Sequence, residues 1–136
     1  MRSGIVEPVA ADSVDPRQRP PAEVFEDHLR LAQEGRLDED LARNVSPDCV
    51  LLERRGVFHG REGARELARY LTEEVPHARY GYTRRLVEGR FCMLEWTADS
   101  DGARVRDGVD SYVIEDGWIV AQTIRYTVEP KTGGES

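Results

Sequence analysis

The chain contains no long hydrophobic run, and it has few cysteines, histidines and lysines. No stretch of about 18 apolar residues is present, so the sequence predicts no membrane span. The first residues form no apolar signal core, and we therefore expect a cytoplasmic location. The net charge of −7 at pH 7 disfavours nucleic acid and anionic lipid as partners, because both repel a negatively charged protein.

The scarcity of reactive side chains excludes several kinds of catalysis. Lys131 is the only lysine, and its place near the C-terminus argues against Schiff-base chemistry in a pocket. The three histidines lie far apart and match no metal-ligand spacing. Cys49 and Cys92 sit in apolar runs without a neighbouring histidine, which is typical of buried free thiols. Glycine-rich phosphate loops and nucleophile elbows are also absent, so we expect no metal and no cofactor.

Three segments in the first half carry apolar residues at helical spacing. The first helix begins just after Pro20 and ends at Gly35. The second is short and must stop by Ser46, because a proline follows. The third is predicted between Gly60 and Pro76.

From residue 78 onward the apolar period changes to two, which is typical of strands, and turn sequences separate four such segments. A short buried strand is also predicted at 49–53. Helices followed by a strand meander predict an α+β domain, with an antiparallel sheet and the helices on one side of it. The domain is expected at 20–129, between a flexible N-terminal arm at 1–19 and a C-terminal tail at 130–136.

Both faces of the later strands carry apolar residues. The alternation places Tyr112 and Ile114 on one face, and Val109 and Val113 on the other. In the last strand, Ile119 falls on the same face as Val113. One face can cover the helices, whereas the other needs a partner, and a second copy of the chain is the simplest candidate. We therefore predict a homodimer through the face that turns away from the helices.

Four short segments occur in a characteristic order: "EGRL" at 34–37, "PDCVLLE" at 47–53, "FHGREG" at 58–63 and "DGVDSYVIEDGWI" at 107–119. With three helices before a long meander, this order resembles the ketosteroid isomerase-like, or SnoaL-like, family, which shares the fold of nuclear transport factor two. The resemblance covers about 21–129. It implies a cone-shaped curved antiparallel sheet with three N-terminal helices packed on its concave face, and homodimer contacts through the convex face. That fold hosts enzymes and non-enzymes alike.

The resemblance also implies a ligand site inside the cone. Counted back from Gly35, His28 stands where ketosteroid isomerase has its catalytic tyrosine. Glu53 falls within a residue or so of the isomerase's catalytic base. Asp110, two residues before Tyr112, matches the carboxylic acid that the isomerase holds neutral as a hydrogen-bond donor. The substrate-binding wall implied in this way consists of Phe25, Leu67, Ala68, Tyr112, Gln122, Ile124 and Tyr126.

The residues themselves leave simpler interpretations open. A carboxyl on a covered strand face is costly unless it is paired or neutral, and Asp110 could pair with Arg106. His28 could be a hydrogen-bonded core histidine, and Glu53 could lie in an exposed turn. The strand phase of Glu95 depends on the turn that follows it, so its face is not assigned.

Taken together, these features favour a cofactor-free acid–base enzyme, an isomerase, dehydratase or cyclase. Its substrate would be an apolar carbonyl compound such as a polyketide-like intermediate. Glu53 would remove the α-proton, while Asp110 and His28 donate hydrogen bonds to the developing oxyanion. In a variant of this mechanism, His28 is the base and Asp110 assists it. The alternative function is a non-catalytic dimeric module of the same fold, for ligand binding or assembly.

Overall fold

Proline and glycine bound the helices much as their chemistry predicts. The computed structural model describes residues 15–132. Its three helices are α1 (Pro21–Gln33), α2 (Leu37–Asn44) and α3 (Gly60–Glu74). The strands are β1 (Val45–Glu53), β2 (Gly56–His59), β3 (Arg79–Glu88), β4 (Phe91–Asp99), β5 (Ala103–Glu115), β6 (Trp118–Arg125) and β7 (Glu129–Pro130). Among these residues, no helix is long and apolar enough to cross a membrane.

The strands form one curved, open sheet in the order β2-β1-β6-β5-β4-β3, and β7 pairs with the start of β5. Strands β3 to β6 are an antiparallel meander, as predicted. The expectation of a purely antiparallel sheet is wrong, because β1 runs parallel to β6. Helix α3 carries the chain from β2, at one edge of the sheet, to β3 at the other edge, and such a crossover lets strands of like direction meet. The predicted α+β cone with three N-terminal helices is confirmed.

The helices lie against the concave face of the sheet and form one hydrophobic core with it. Helix α1 buries Val24, Phe25 and Leu29 completely or nearly so. From the sheet, the same core takes Leu94, Trp96, Tyr112, Ile114 and Ile119. Removing this apolar area from water is the main favourable contribution to folding.

Ile119 does not lie on the convex face, where strict alternation places it. Val113 pairs with Ala121, whereas Ile114 pairs with Ile119, so Val120 is an extra, bulged residue in β6. The bulge turns Ile119 into the core, where it is fully buried. Val113 is half-buried on the convex side, as predicted.

Residues 15–19 pack against the domain, although the sequence predicts a flexible arm over 1–19; positions 1–14 lie outside the described residues. The buried guanidinium of Arg19 donates to the carbonyl oxygens of Pro16 (2.9 Å), Arg43 (3.1 Å) and Gly117 (3.3 Å). Gly117 has a φ of +74°, and a Cβ there would lie 2.2 Å from the Pro16 oxygen, so only glycine lets this segment cross the turn.

The start of the predicted C-terminal tail is also held to the domain. The backbone N–H of Lys131 donates to the Gly102 oxygen at 3.0 Å. The ammonium group of Lys131 lies 2.6 Å from a carboxylate oxygen of Asp99. Positions 133–136 lie outside the described residues.

Candidate active site

A cavity of about 410 Å³ lies between the helices and the concave face of the sheet. Its helical wall is mainly aliphatic and includes Leu29, Ala32, Leu37, Leu41, Leu67, Ala68 and Leu71. Its sheet wall carries the aromatic residues Tyr80, Tyr82, Trp96, Tyr112 and Tyr126. A largely apolar cavity of this size, with a few polar groups in its wall, is typical of a small-molecule site.

Most of the residues implicated by the sequence line this cavity. They are His28, Glu53, Leu67, Ala68, Asp110, Tyr112, Gln122, Ile124 and Tyr126, and their functional roles stay predictions. Phe25 is the exception, because it does not line the cavity. Its side chain is fully buried, and its ring centre lies 5.3 Å from that of Tyr112. Phe25 therefore packs against Tyr112 behind the cavity wall and is not part of the cavity surface.

Asp110 lies at the centre of a hydrogen-bonded group, here called the Asp110 cluster, together with Trp96, Tyr112 and Gln122. Its Oδ1 accepts a hydrogen bond from Trp96 Nε1 at 3.0 Å. Its Oδ2 accepts from the Tyr112 hydroxyl at 3.2 Å and from Gln122 Nε2 at 3.3 Å. Arg106, the alternative partner considered from the sequence, pairs with Glu129 at 2.8 Å. Burial raises the pKa of Asp110 to about 6, although the three donors and His28 oppose that rise.

His28 connects the Asp110 cluster to a second buried carboxylate. Its Nδ1 lies 2.7 Å from Asp40 Oδ2, and its Nε2 lies 3.3 Å from the Tyr112 hydroxyl oxygen. Burial alone lowers the pKa of His28, but the charge and hydrogen bond of Asp40, with a smaller contribution from Asp110, outweigh burial and raise it. The surroundings thus favour the imidazolium form.

Asp40 is held by a chain of polar groups on the far side from the cavity. The side chain of Asn44 is fully buried, and its Nδ2 donates to Asp40 Oδ1 at 2.8 Å and to Asp27 Oδ2 at 3.0 Å. Asp27 in turn pairs with three guanidinium groups at 2.8 to 3.3 Å, those of Arg19, Arg30 and Arg43. Asn44 and the arginines thereby separate the buried carboxylate of Asp40 from the half-buried carboxylate of Asp27, which would otherwise repel each other.

Asp40 and Asn44 are not among the site residues predicted from the sequence, although a signal for them is present. They are four residues apart on α2, alongside Leu37 and Leu41, so they share the core-facing stripe of that helix. Polar residues on such a stripe must be paired when buried. This pattern points to a polar partner inside the domain.

Trp96 was also missed as a site residue, because its strand phase depended on the turn that follows it. The register places Trp96 directly opposite Gly108. A Cβ at Gly108 would lie 2.3 Å from the indole ring, so glycine lets the ring lie flat on β5 and reach Asp110. Glu95 has the opposite phase, pairs in register with Val109, and faces away from the cavity.

Glu53 belongs to a separate network, the Glu53 cluster, which also contains Arg55, Glu74 and Tyr126. Both Glu53 carboxylate oxygens accept hydrogen bonds from Arg55, one from its backbone N–H at 2.8 Å and one from its guanidinium group. Arg55 also pairs with Glu74 at 2.9 Å, and the Tyr126 hydroxyl donates to Glu74. Although Glu53 is near the turn, its side chain is only 2% exposed.

The sequence matches the SnoaL-like domain over residues 25–122. The chain belongs to the SnoaL-like family. Solved structures of similar fold include a candidate SnoaL-like polyketide cyclase from Mesorhizobium loti. It is 24% identical to this chain, with a TM-score of 0.61, and the match covers 77% of this chain and 97% of the cyclase chain. An NTF2-like protein of unknown function from Mesorhizobium loti is 22% identical, with a TM-score of 0.67 and coverage of 83% and 95%. TerC, crystallised with polyporic acid, is 13% identical, with a TM-score of 0.64 and coverage of 83% and 92%. None of the curated proteins matches the chain.

In this SnoaL-like cavity, Asp110 and His28 share one hydroxyl group, so their proton equilibria are linked. Tyr112 has a single hydroxyl proton, and burial raises its pKa well above the ordinary value. It donates that proton to Asp110 when Asp110 is ionised and His28 is charged. It can donate to His28 instead when Asp110 is protonated and His28 is neutral. The pair therefore titrates as a unit.

The two cysteines of the SnoaL-like domain are poorly suited to act as nucleophiles. Cys49 and Cys92 are buried, and burial raises the pKa of each thiol to about 11, so neither forms a thiolate at neutral pH. Within residues 15–132, no group of three His, Cys, Asp or Glu side chains is arranged to hold a metal ion.

Proposed function

We propose that this SnoaL-like protein is a cofactor-independent acid–base enzyme that moves a proton on an apolar carbonyl compound. Isomerisation, dehydration and cyclisation through an enol all need such a step. The observation that carries the proposal is the pairing of Asp110 and His28 through Tyr112 in the wall of an apolar cavity. Two titratable groups whose surroundings favour opposite charges can act as base and acid.

Asp110 is the base in this proposal. With a pKa of about 6, it is mostly ionised at neutral pH and still basic enough to accept a proton from carbon. The C–H bond of the substrate breaks and an O–H bond forms on Asp110. As Asp110 becomes protonated, the Tyr112 hydroxyl turns from Asp110 to the oxygen that becomes an enolate, and His28 donates from Nε2 to the Tyr112 oxygen and supports that hydrogen bond. Glu53, the base suggested by the resemblance, is ion-paired with Arg55 in a separate network and is not linked to His28 or Tyr112, so we assign it another role.

The relatives support the proposal at the level of ligand class. One structural neighbour is a candidate polyketide cyclase, and another was crystallised with polyporic acid. Because their sequence identity to this chain is low, these neighbours support a common fold but not a common reaction. A polyketide-like carbonyl compound is consistent with an apolar cavity that has its polar groups gathered in the sheet wall.

The proposal predicts that the protein accelerates exchange of the α-protons of 1-tetralone in D₂O. Asp110 removes the proton, and a deuteron returns from the solvent. Proton NMR measures the loss of the α-proton signal, with heat-denatured protein as the control. The rate should rise with pH through the pKa of Asp110, near 6. Binding of the ketone with no acceleration would favour the alternative function, a non-catalytic ligand-binding module.

We also propose that a second copy of the chain covers the convex face. The registers align two rows on that face, which together form the convex stripe and are apolar except for two hydroxyl residues. The first row is Val57, Leu52, Thr123, Ser111, Met93 and Leu86, and the second is Val50, Ala121, Val113 and Phe91. Phe91 is 53% exposed and Leu52 is 47% exposed. The neighbouring row contains Arg84, Glu95 and Arg125, and its mixed charges suit a two-fold pairing of identical surfaces.

Phe91→Asp is expected to convert the dimer into a monomer, because it places a charge where apolar area must be buried. Sedimentation velocity at micromolar concentration measures the change. Ala22→Asp adds the same charge to an exposed position on α1, and should leave the dimer intact. A wild-type protein that sediments only as a monomer would contradict this proposal.

A further inference from the structure

The acidic groups of the cavity are not confined to the Asp110 cluster. Three carboxyl side chains line it, those of Asp40, Asp110 and Glu53, together with one histidine. No arginine or lysine lines the cavity in the part of the chain that the structure describes. Asp40 faces His28, whereas Glu53 stands apart, and nothing in the proton transfer above uses it.

Glu53 lies across an apolar residue from Asp110. In register, Asp110 pairs with Ile124, and Leu52 pairs with Thr123, so the row continues from Asp110 through Ile124 to Glu53. Two strand spacings separate the Asp110 and Glu53 backbones, or about 10 Å. Tyr126 follows Ile124 on the same face and also lines the cavity. The sheet wall thus has two polar regions with Ile124 between them.

The Glu53 cluster offers acceptors to the cavity and no donor. The Tyr126 hydroxyl donates its hydrogen to Glu74, and its oxygen, which also contacts Arg55, has two lone pairs and can accept one further hydrogen bond. Arg55 supplies one hydrogen bond to each Glu53 oxygen, and a carboxylate can accept about four. Arg55 itself does not line the cavity, and its guanidinium group contacts Glu53, Glu74 and Tyr126.

We propose that Glu53 and Tyr126 form a subsite that selects a hydrogen-bond donor, a hydroxyl or amino group, on the part of the substrate away from its reacting carbonyl. The subsite rests on the proposed function, because Asp110 and His28 fix the carbonyl end. It restricts the substrate to a neutral or cationic compound. A carboxylate at that position meets acceptor oxygens, and the guanidinium group of Arg55 behind them is already paired with Glu53 and Glu74, so the subsite rejects substrates that carry a carboxylate.

A matched series of bicyclic ketones tests the subsite: 1-tetralone, 6-hydroxy-1-tetralone and 1-tetralone-6-carboxylate. Calorimetric titration at pH 6.5 measures the affinity of each. We expect the hydroxyl compound to bind about tenfold more tightly than 1-tetralone, as suits a hydrogen bond to a charged acceptor. The carboxylate should bind more weakly than 1-tetralone by at least about tenfold, because it meets like charge.

Two variants test which residues cause the preference for the hydroxyl compound. Glu53→Gln removes the charge and should reduce the preference for the hydroxyl over the carboxylate by about tenfold. Tyr126→Phe removes the phenolic acceptor and leaves Glu53 with Arg55, so it should weaken binding of the hydroxyl compound while the carboxylate is still rejected. Glu73→Gln is the control, since Glu73 is an exposed residue of α3 that does not line the cavity, and it should keep the wild-type order.

Equal binding of the three compounds, tightest binding of the carboxylate, or an unchanged order in Glu53→Gln would overturn the subsite, as would failure of all three to bind. Different results would contradict the proposed function. Exchange of 1-tetralone with no preference among the three compounds would remove the subsite alone. The expected order of affinities with no exchange would remove the catalytic role of Asp110 and leave the subsite in place.

Discussion

Asp110→Asn is expected to slow α-proton exchange of 1-tetralone by about 10² to 10⁴-fold, the usual contribution of a positioned general base. The amide keeps the size of the carboxyl but cannot accept the proton. Proton NMR in D₂O measures the rate. Asp101→Asn, in the exposed turn before β5, makes the same chemical change away from the cavity and should leave the rate unchanged. Full activity in Asp110→Asn would instead support the neutral, hydrogen-bond-donating role that the resemblance implies for Asp110.

The same variant should change how stability depends on pH. The pKa of Asp110 rises from 3.8 to about 6 on folding, so between those values the folded state binds more protons than the unfolded state. Its contribution therefore makes the free energy of unfolding fall as pH rises, by about 3 kcal/mol once pH exceeds 6. Asp110→Asn lacks this contribution. Urea denaturation from pH 4 to pH 8 should show a flatter profile for the variant than for the wild type.

Much of the fold follows from local patterns in the sequence. The three helices are marked by apolar spacing, with proline or glycine near their ends, and the meander by a period of two and its turns. The inward direction of Asp110 follows from its alternation with Tyr112, whose buried neighbours fix the face. Such features depend on residues close in the sequence, which is why they can be predicted.

Other features depend on contacts between distant segments. Strand β1 runs parallel to β6 because α3 crosses the sheet, and no local pattern encodes that direction. The bulge at Val120 reverses the phase of Ile119 within an otherwise regular strand. The role of Asp40 depends on His28, twelve residues earlier and on another helix. The spacing of residues on α2 could have indicated that Asp40 is buried, but only the packing of α1 on α2 shows that His28 is its partner.

Asp40→Asn is expected to lower the pKa of His28 and to destabilise the protein by about 3 kcal/mol below pH 6, because it leaves a buried imidazolium without its anion. The folded pKa of His28 is raised above 6.5, so its contribution to stability is fully present below that value and is lost as pH rises through the folded pKa. The destabilisation should therefore shrink at high pH, where both proteins hold a neutral His28.

Two measurements test this effect of Asp40. Histidine ring signals in NMR titrations give the pKa of His28, and urea denaturation at pH 5.5 and pH 9 gives the free energy of unfolding. Asp38→Asn is the matched control: Asp38 is on the same helix, but its side chain is 85% exposed and pairs with Arg65, so its loss should cost less than about 1 kcal/mol. An unchanged pKa of His28 in Asp40→Asn would mean that Asp40 does not set the charge of the histidine. The acid in the proposed proton transfer would then have to be Tyr112 acting alone.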